Sequence, residues 1–387
     1  MANTNCRYCV DRQPRPSSVG RRQGGVTVPE IPDASRGLVP HVNGRAVPFT
    51  FWPEEYLKRR PFSASNPWQC MIASLLAEEQ TKANLRCRCH IEQSRDFWVA
   101  SHNASVGTRP LMLYYSYVNL AKAFLLHRSR EAVPSGAEDH HGLYYVNRIT
   151  SYSSLDEITF DIPPPNAGRC LFYRELVERC GFSAGPGRQG VPITEMLHQI
   201  PGLHDAFIAR TGYDRAFFPV ELQFRTDPTN ERTWVWGRVD VSMYYSAEEA
   251  ALRSFIAACP ELHLVRGAGE EVCFETEQVA SRNVPFRLVL RRDLVDPIRK
   301  YLWSVQTNQG FRYFISIRDD LTAQVASNYA VMYTLGMIVR YTPDMLDELL
   351  GEWIIHEYLE TQPLQYAYLL GSGIVRNELV PNPLATH

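Results

Sequence analysis

Apolar positions recur at helical spacing near both ends of the chain and at alternate positions between them. From Pro53 to about Leu126 the pattern predicts helices. The run NPWQCMIASLLAEEQTKANL has Asn66 placed to cap and Pro67 at the first helical position. A shorter helix is expected around IEQSRDFWVAS, and another, after a break at Pro110, over LMLYYSYVNLAKAFLL, residues 111–126. Residues 127–217 are mixed. EITFDIPPP reads as a short strand stopped by prolines, CLFYRELVERCG as a helix ending at Gly181, and PITEMLHQIPGLHDAFIART as two short helices interrupted at Pro201. Between Phe218 and Ile317 the runs PVELQFR, TWVWGRVDVSMYY, EVCFETE, PFRLVLR and FRYFISI are β-branched and aromatic, the pattern of antiparallel strands, with one helix at SAEEAALRSFIAACP. From Leu321 to Val380 the helical period returns. Its boundary is RYTPDMLDELLGEW, where Thr342 is placed to cap, Pro343 suits a first turn and Asp344 suits the helix dipole.

These elements predict an α+β protein, predominantly helical, with an antiparallel β-rich middle segment and a disordered N-terminal arm. The expected divisions are a disordered basic arm over 1–46, a helical region with short strands over 47–217, the β-rich region over 218–317, and a C-terminal helical region over 318–387 that packs on the rest. No internal repeat is present.

Charge changes this picture little. A net charge of −2 exerts no overall pull toward nucleic acid or anionic membrane. The exception is local: up to Gly25 five arginines face the single Asp11, a balance of +4 that suits phosphate contact or, more plainly, a solubilising leader. The chain opens without an apolar leader segment, and its longest apolar run contains Lys122. With nine scattered cysteines, a cytoplasmic protein with reduced thiols and no membrane partner is expected.

Several motif-like strings lack the context their chemistry needs. GFSAG around Ser183 has the spacing of a nucleophile elbow, but a helix precedes it and PGRQG follows, so a loop is expected. GPGRQG lacks the Gly-Lys-Ser/Thr ending that places an amine on phosphate, and HEYLE at His356 lacks a second His at i+4. Cys6 and Cys9 with Cys87, Cys89 and His90 could supply zinc ligands only if metal ordered the arm; free thiols are the simpler expectation. No metal site and no cofactor are expected.

One feature admits a functional reading beside the simpler structural one. The apolar run at 111–126 carries Tyr115, Asn119 and Lys122 at i, i+4 and i+7, a polar stripe on one helix face. After a Pro/Ser/Gly-rich loop the chain resumes at His140-His141-Gly142-Leu143. A YYSYVNLAKAFLL helix followed by a loop and HHGL resembles a segment of HEPN domains. Over about residues 55–380 the order PLMLYYSYVNLAKAFLL, HGL, ITEMLHQIPGLHDAF and YAVMYTLGMIVRYTPDML is similar to the YaaC-like family. The β-rich middle matches only in kind, and the arm is an addition.

The family resemblance implies the fold more than an activity. The HEPN resemblance implies an interaction or nucleic-acid-responsive module, in a toxin or phage-defence setting, with an RNA or nucleotide ligand, a protein partner encoded nearby, or a homodimer. It also implies an alternative, a metal-independent ribonuclease, for which Arg95 and His102 in RDFWVASH have suitable spacing: the Arg would hold phosphate charge and the His would move protons. These two lie ahead of the tyrosine helix, where the nuclease motif usually lies later. A third reading is a nucleotide- or phosphate-binding site built from Asn119, Lys122, His140 and His141, with the Lys122 amine facing a cleft that one of the histidines also lines. The structural alternative has Tyr115 and Asn119 bonding to neighbouring backbone, Lys122 reaching water and the histidines capping a turn. Arg340 is expected at a helix–helix corner, its charge meeting the helix carbonyls.

Overall fold

The computed structural model describes residues 41–42, 45–46, 66–76, 81–129, 141–145, 151, 153–165, 171–180, 182–227, 232–265, 270–280, 297–298, 301–307, 310–318 and 323–376. Within the expected arm these include a short antiparallel ladder, β1 (His41–Val42) with β2 (Arg45–Ala46), which the expectation of an unstructured arm did not contain. The rest of the arm, the PFRLVLR run and His140 lie outside the described residues.

Helix α1 (Pro67–Leu76) starts as expected: the Asn66 side chain accepts a hydrogen bond from the Gln69 amide at 3.0 Å. Its buried face is Trp68, Met71, Ile72 and Leu75, spaced i, i+3, i+4 and i+7. The TKANL end of the first run does not continue α1, and IEQSRDFWVAS is not a separate helix. Both belong to one helix, α2 (Lys82–Asn103), because extended Thr81 caps it by accepting from the Asn84 amide at 3.2 Å. The buried seam of α2 is only Cys87, Ile91, Ser94 and Ser101, too narrow and too polar to show as a hydrophobic period.

Helix α3 (Arg109–Ser129) covers the tyrosine run without interruption, with Pro110 inside its first turn. Leu113, Tyr114, Val118, Leu120, Ala121 and Leu125 are buried as expected, whereas Leu111 is half-buried. Strands β3 (Tyr144–Tyr145), β4 (Thr159–Ile162) and β5 (Arg188–Pro192) form a small antiparallel sheet. The PGRQG run, expected as loop, thus contributes a strand. Phe160 pairs with Val191 there, and only Val191 of β5 is buried, so alternation could not announce it. Helix α4 (Phe172–Arg179) lies between β4 and β5, and α5 (Ile193–His198) and α6 (His204–Thr211) follow β5, separated by a short turn at Pro201–Leu203.

The long strands β6 (Phe217–Asp227) and β7 (Arg232–Asp240) precede α7 (Ser246–Ala258), then β8 (His263–Val265), β9 (Glu271–Glu275), β10 (Val279–Ala280), β11 (Leu302–Thr307) and β12 (Gly310–Ser316). Their order is β11-β12-β6-β7-β9-β8, with β10 also on β7, antiparallel throughout. Strand β6 changes partner midway: Phe217–Val220 pair with β12, and Glu221–Asp227 pair with β7. One face buries Phe218, Val220, Leu222, Val235, Val239, Val272 and Phe274 against Leu252 and Ile256 of α7.

The chain returns to the helical body with α8 (Gln324–Tyr341), α9 (Leu346–Leu350) and α10 (Trp353–Arg376). Every residue from Gln324 to Ile338 of α8 is buried, and the helix packs on α3. At the expected boundary Pro343–Met345 form a 3-10 turn, and Thr342 provides no side-chain cap. Its hydroxyl instead bonds the Tyr145 hydroxyl at 2.9 Å. One continuous hydrophobic core runs from Trp68 through Phe207 and resumes from Ala323 to Val375, so the helices of both chain ends form one body.

Two histidines stand at the neck between body and sheet. His204 is buried, and its Nε2 accepts from the Ala216 amide at 2.9 Å and the Phe217 amide at 3.2 Å. His198 stacks on it, donates from Nε2 to the Asp214 carbonyl at 2.8 Å and accepts from Arg318 at 3.3 Å. Burial, then the charges of His198 and Arg215, depress the His204 pKa to about 3.

Candidate functional site

The polar stripe of α3 faces α2. The two helices run antiparallel, with contacts descending along them: Phe97 stacks on Tyr115 with ring centres 5.2 Å apart, the Ser94 and Ser116 hydroxyls meet at 3.1 Å, His90 Nδ1 donates to Asn119 Oδ1 at 3.0 Å, and the Cys87 thiol meets the Ala123 carbonyl at 3.2 Å. The Asn119 amide nitrogen donates in turn to the Tyr115 carbonyl at 2.9 Å, which fixes its orientation. Lys122, half-buried and one turn beyond Asn119, therefore lies at the level of Cys87–His90. A stripe that looks misplaced on one helix is one side of a polar seam between two.

His90 and Phe97, which complete this seam, were not singled out for it by sequence. The signal was available, since Arg86, His90, Gln93 and Phe97 repeat at i, i+4, i+7 and i+11. It was masked by the apparent break within α2. Arg86, Arg88 and Lys82 share the N-terminal half of α2 with His90, and Lys82–Ile91 contains no Asp or Glu. Arg88 reaches Glu92 at 3.6 Å, one turn on.

The other candidate residues are placed differently. His141 is half-buried and hydrogen-bonded through Nδ1 to the hydroxyl of the fully buried Tyr114, whose pKa burial pushes far above its ordinary value. Tyr333 packs against both rings. The Tyr329 hydroxyl donates to the His141 carbonyl at 3.0 Å, and the Tyr333 hydroxyl donates to the Leu143 carbonyl while accepting from the Tyr145 amide, both at 2.9 Å. Gly142 between them has φ 72°, and a Cβ there would meet the Tyr173 amide nitrogen at 2.1 Å. Three tyrosines thus fasten this loop to α3 and α8. Arg340 lies over the Tyr341 ring, 5.1 Å from its centre, at the end of α8. Asn119 is joined to His90, while His141 is joined to Tyr114 on a more buried flank of α3.

Arg95 and His102 are both on α2, seven positions or about 10 Å apart along its axis. Arg95 binds Asp96 at 3.1 Å. His102 Nδ1 bonds the Trp98 carbonyl at 2.8 Å, with the ring edge-on to Trp98. Among the described residues no group of His, Cys, Asp and Glu is arranged to hold a metal ion, and Cys6 and Cys9 lie outside them. No helix among them is long and apolar enough to cross a membrane.

The segments that meet here, LYYSYVNLAKA on α3, HGL in the loop and IVRYTP at the end of α8, lie within a family match. The family described as YaaC-like Protein matches residues 56–374. The chain belongs to the YaaC-like family. The match spans the helical body and the sheet together, so the YaaC-like unit includes both. No curated protein and no solved structure matches the chain.

Proposed function

We propose that this YaaC-like protein is a nucleic-acid-responsive binding module that takes single-stranded RNA along the seam between α2 and α3. The observation that carries the reading is the seam's composition. Lys82, Arg86 and Arg88 lie in the N-terminal half of α2, where Lys82–Ile91 contains no Asp or Glu, and Arg88 reaches Glu92. Lys82, in the first turn, opposes the helix dipole at a cost of about 0.3–1 kcal/mol, whereas phosphate at that end is favoured. Lys122 adds charge from α3, His90 and Asn119 offer hydrogen-bonding groups, and the half-buried Phe97 and Tyr115 rings offer stacking surface. The ribonuclease alternative rests on Arg95 and His102, each of which is already engaged by a neighbour on its own helix. A toxin or defence setting is an implication of the HEPN resemblance and draws no support from this geometry.

The test is fluorescence anisotropy with a labelled oligoadenylate RNA. Affinity should fall as salt rises from about 50 to about 200 mM, as expected for phosphate contacts. Arg86→Glu with Lys122→Glu should weaken binding by roughly tenfold or more. A melting temperature measured on the same variant separates loss of binding from loss of fold. Affinity indifferent to salt and to both substitutions would sink the proposal. RNA recovered cut by wild type but intact with Arg95→Ala or His102→Ala would establish the ribonuclease instead.

A further inference from the structure

A cleft lies on the sheet, independent of the α2–α3 seam. Between Val220 and Glu221 strand β6 leaves β12 and joins β7. Where the two ladders part, a cavity of about 560 Å³ opens, within the size range of small-molecule sites. Its walls include Pro219, Leu222, Met243, Tyr244 and Tyr313 on the apolar side and Glu221, Arg238, Asp240 and Arg312 on the polar side.

The two arginines are not equivalent. Arg238 is bound by both Glu221 and Glu271, so its charge is already answered twice. Arg312 is exposed and makes no ion pair among the described residues. Asp240 is capped by the Ser242 amide at 3.0 Å and, with Glu221, keeps negative charge in the same cleft. One unanswered guanidinium beside two carboxylates suits a monoanion and repels a polyphosphate. The apolar wall is firm on one side, because Arg215 holds the Tyr244 ring at 4.6 Å and is itself bound to Glu248 at 3.0 Å. It is adaptable on the other, where the flexible thioether of Met243 is 87% exposed at the rim.

We propose that this cleft binds a small monocarboxylate with an apolar or aromatic body, its carboxylate on Arg312 and its body between Met243 and Tyr244. Calorimetric titration of the full-length protein with 2-naphthoate should give saturable binding, and 2-naphthol, which has the same body without the carboxylate, should bind much more weakly. Arg312→Ala should weaken naphthoate by roughly tenfold to a hundredfold, the loss of a charge-assisted hydrogen bond, and leave naphthol unchanged. Since Arg312 is exposed and makes no ion pair among the described residues, its variant should melt as wild type does, which separates loss of binding from loss of fold. Met243→Asp should weaken both probes. The proposal is overturned if naphthoate shows no saturable binding, or binds wild type and Arg312→Ala alike.

Discussion

Single side chains at the neck and in the tyrosine-bound loop have the sharpest consequences. His204 serves as a neutral acceptor for two backbone amides, and burial holds its pKa near 3 against 6.5 for a free histidine. In the unfolded chain the ring takes a proton as pH falls below 6.5, while in the folded chain it stays neutral. Its contribution is therefore complete above pH 6.5 and is lost as pH falls toward 3, by about 2 kcal/mol at about pH 5. His204→Gln, whose amide oxygen can still accept, should flatten the fall in melting temperature between neutral and acidic buffer; an unaltered slope would assign that fall to other groups. Gly142 is a steric case. Gly142→Ala would press a methyl into the Tyr173 backbone, whereas Gly190→Ala, at a similar φ of 62°, meets open space. Urea titration should show Gly190→Ala costing about 1–2 kcal/mol, the left-handed penalty alone, and Gly142→Ala costing clearly more.

At the scale of helices and strands, the packing of α3 on α8 depends on Gly336, where a Cβ would come within 2.7 Å of the Tyr114 Cβ. Gly336→Ala should cost roughly 1–3 kcal/mol as overpacking, read as a lower urea midpoint with an unchanged slope. What was legible in sequence follows how each element is buried. Helices α1 and α3 and strands β7, β9 and β12 carry strong periods or β-rich runs and were expected where they occur. Helix α2 was read as two pieces because its seam is cysteine, isoleucine and serine, and β5 was missed because it is held by pairing with β4 rather than by its own pattern. The stripe of Tyr115, Asn119 and Lys122 was visible from spacing alone. Its opposing wall was not, since His90 is brought to Asn119 by the pairing of two helices, which no local window contains. The HGL segment was recognisable as a string, but its dependence on Tyr329 and Tyr333 crosses most of the chain.

For the molecule as a whole, the helical core is built from both ends of the chain and the sheet is threaded between them. The thread leaves and re-enters at one point: Phe217 pairs with Ser316, the Ile317 amide bonds the Ala216 carbonyl at 2.9 Å, and His198 contacts both Asp214 and Arg318. An insertion whose ends touch is a detachable cassette, because a few residues can bridge the gap it leaves. Replacing 217–317 with a short Gly/Ser linker should yield a helical protein that still melts cooperatively, though at lower temperature, since Phe182 loses its cover from Trp303. RNA binding should stay with that shortened chain and carboxylate binding should leave with the cassette. The touching ends also make this neck a natural place for one sheet module to be exchanged for another on an unchanged helical frame.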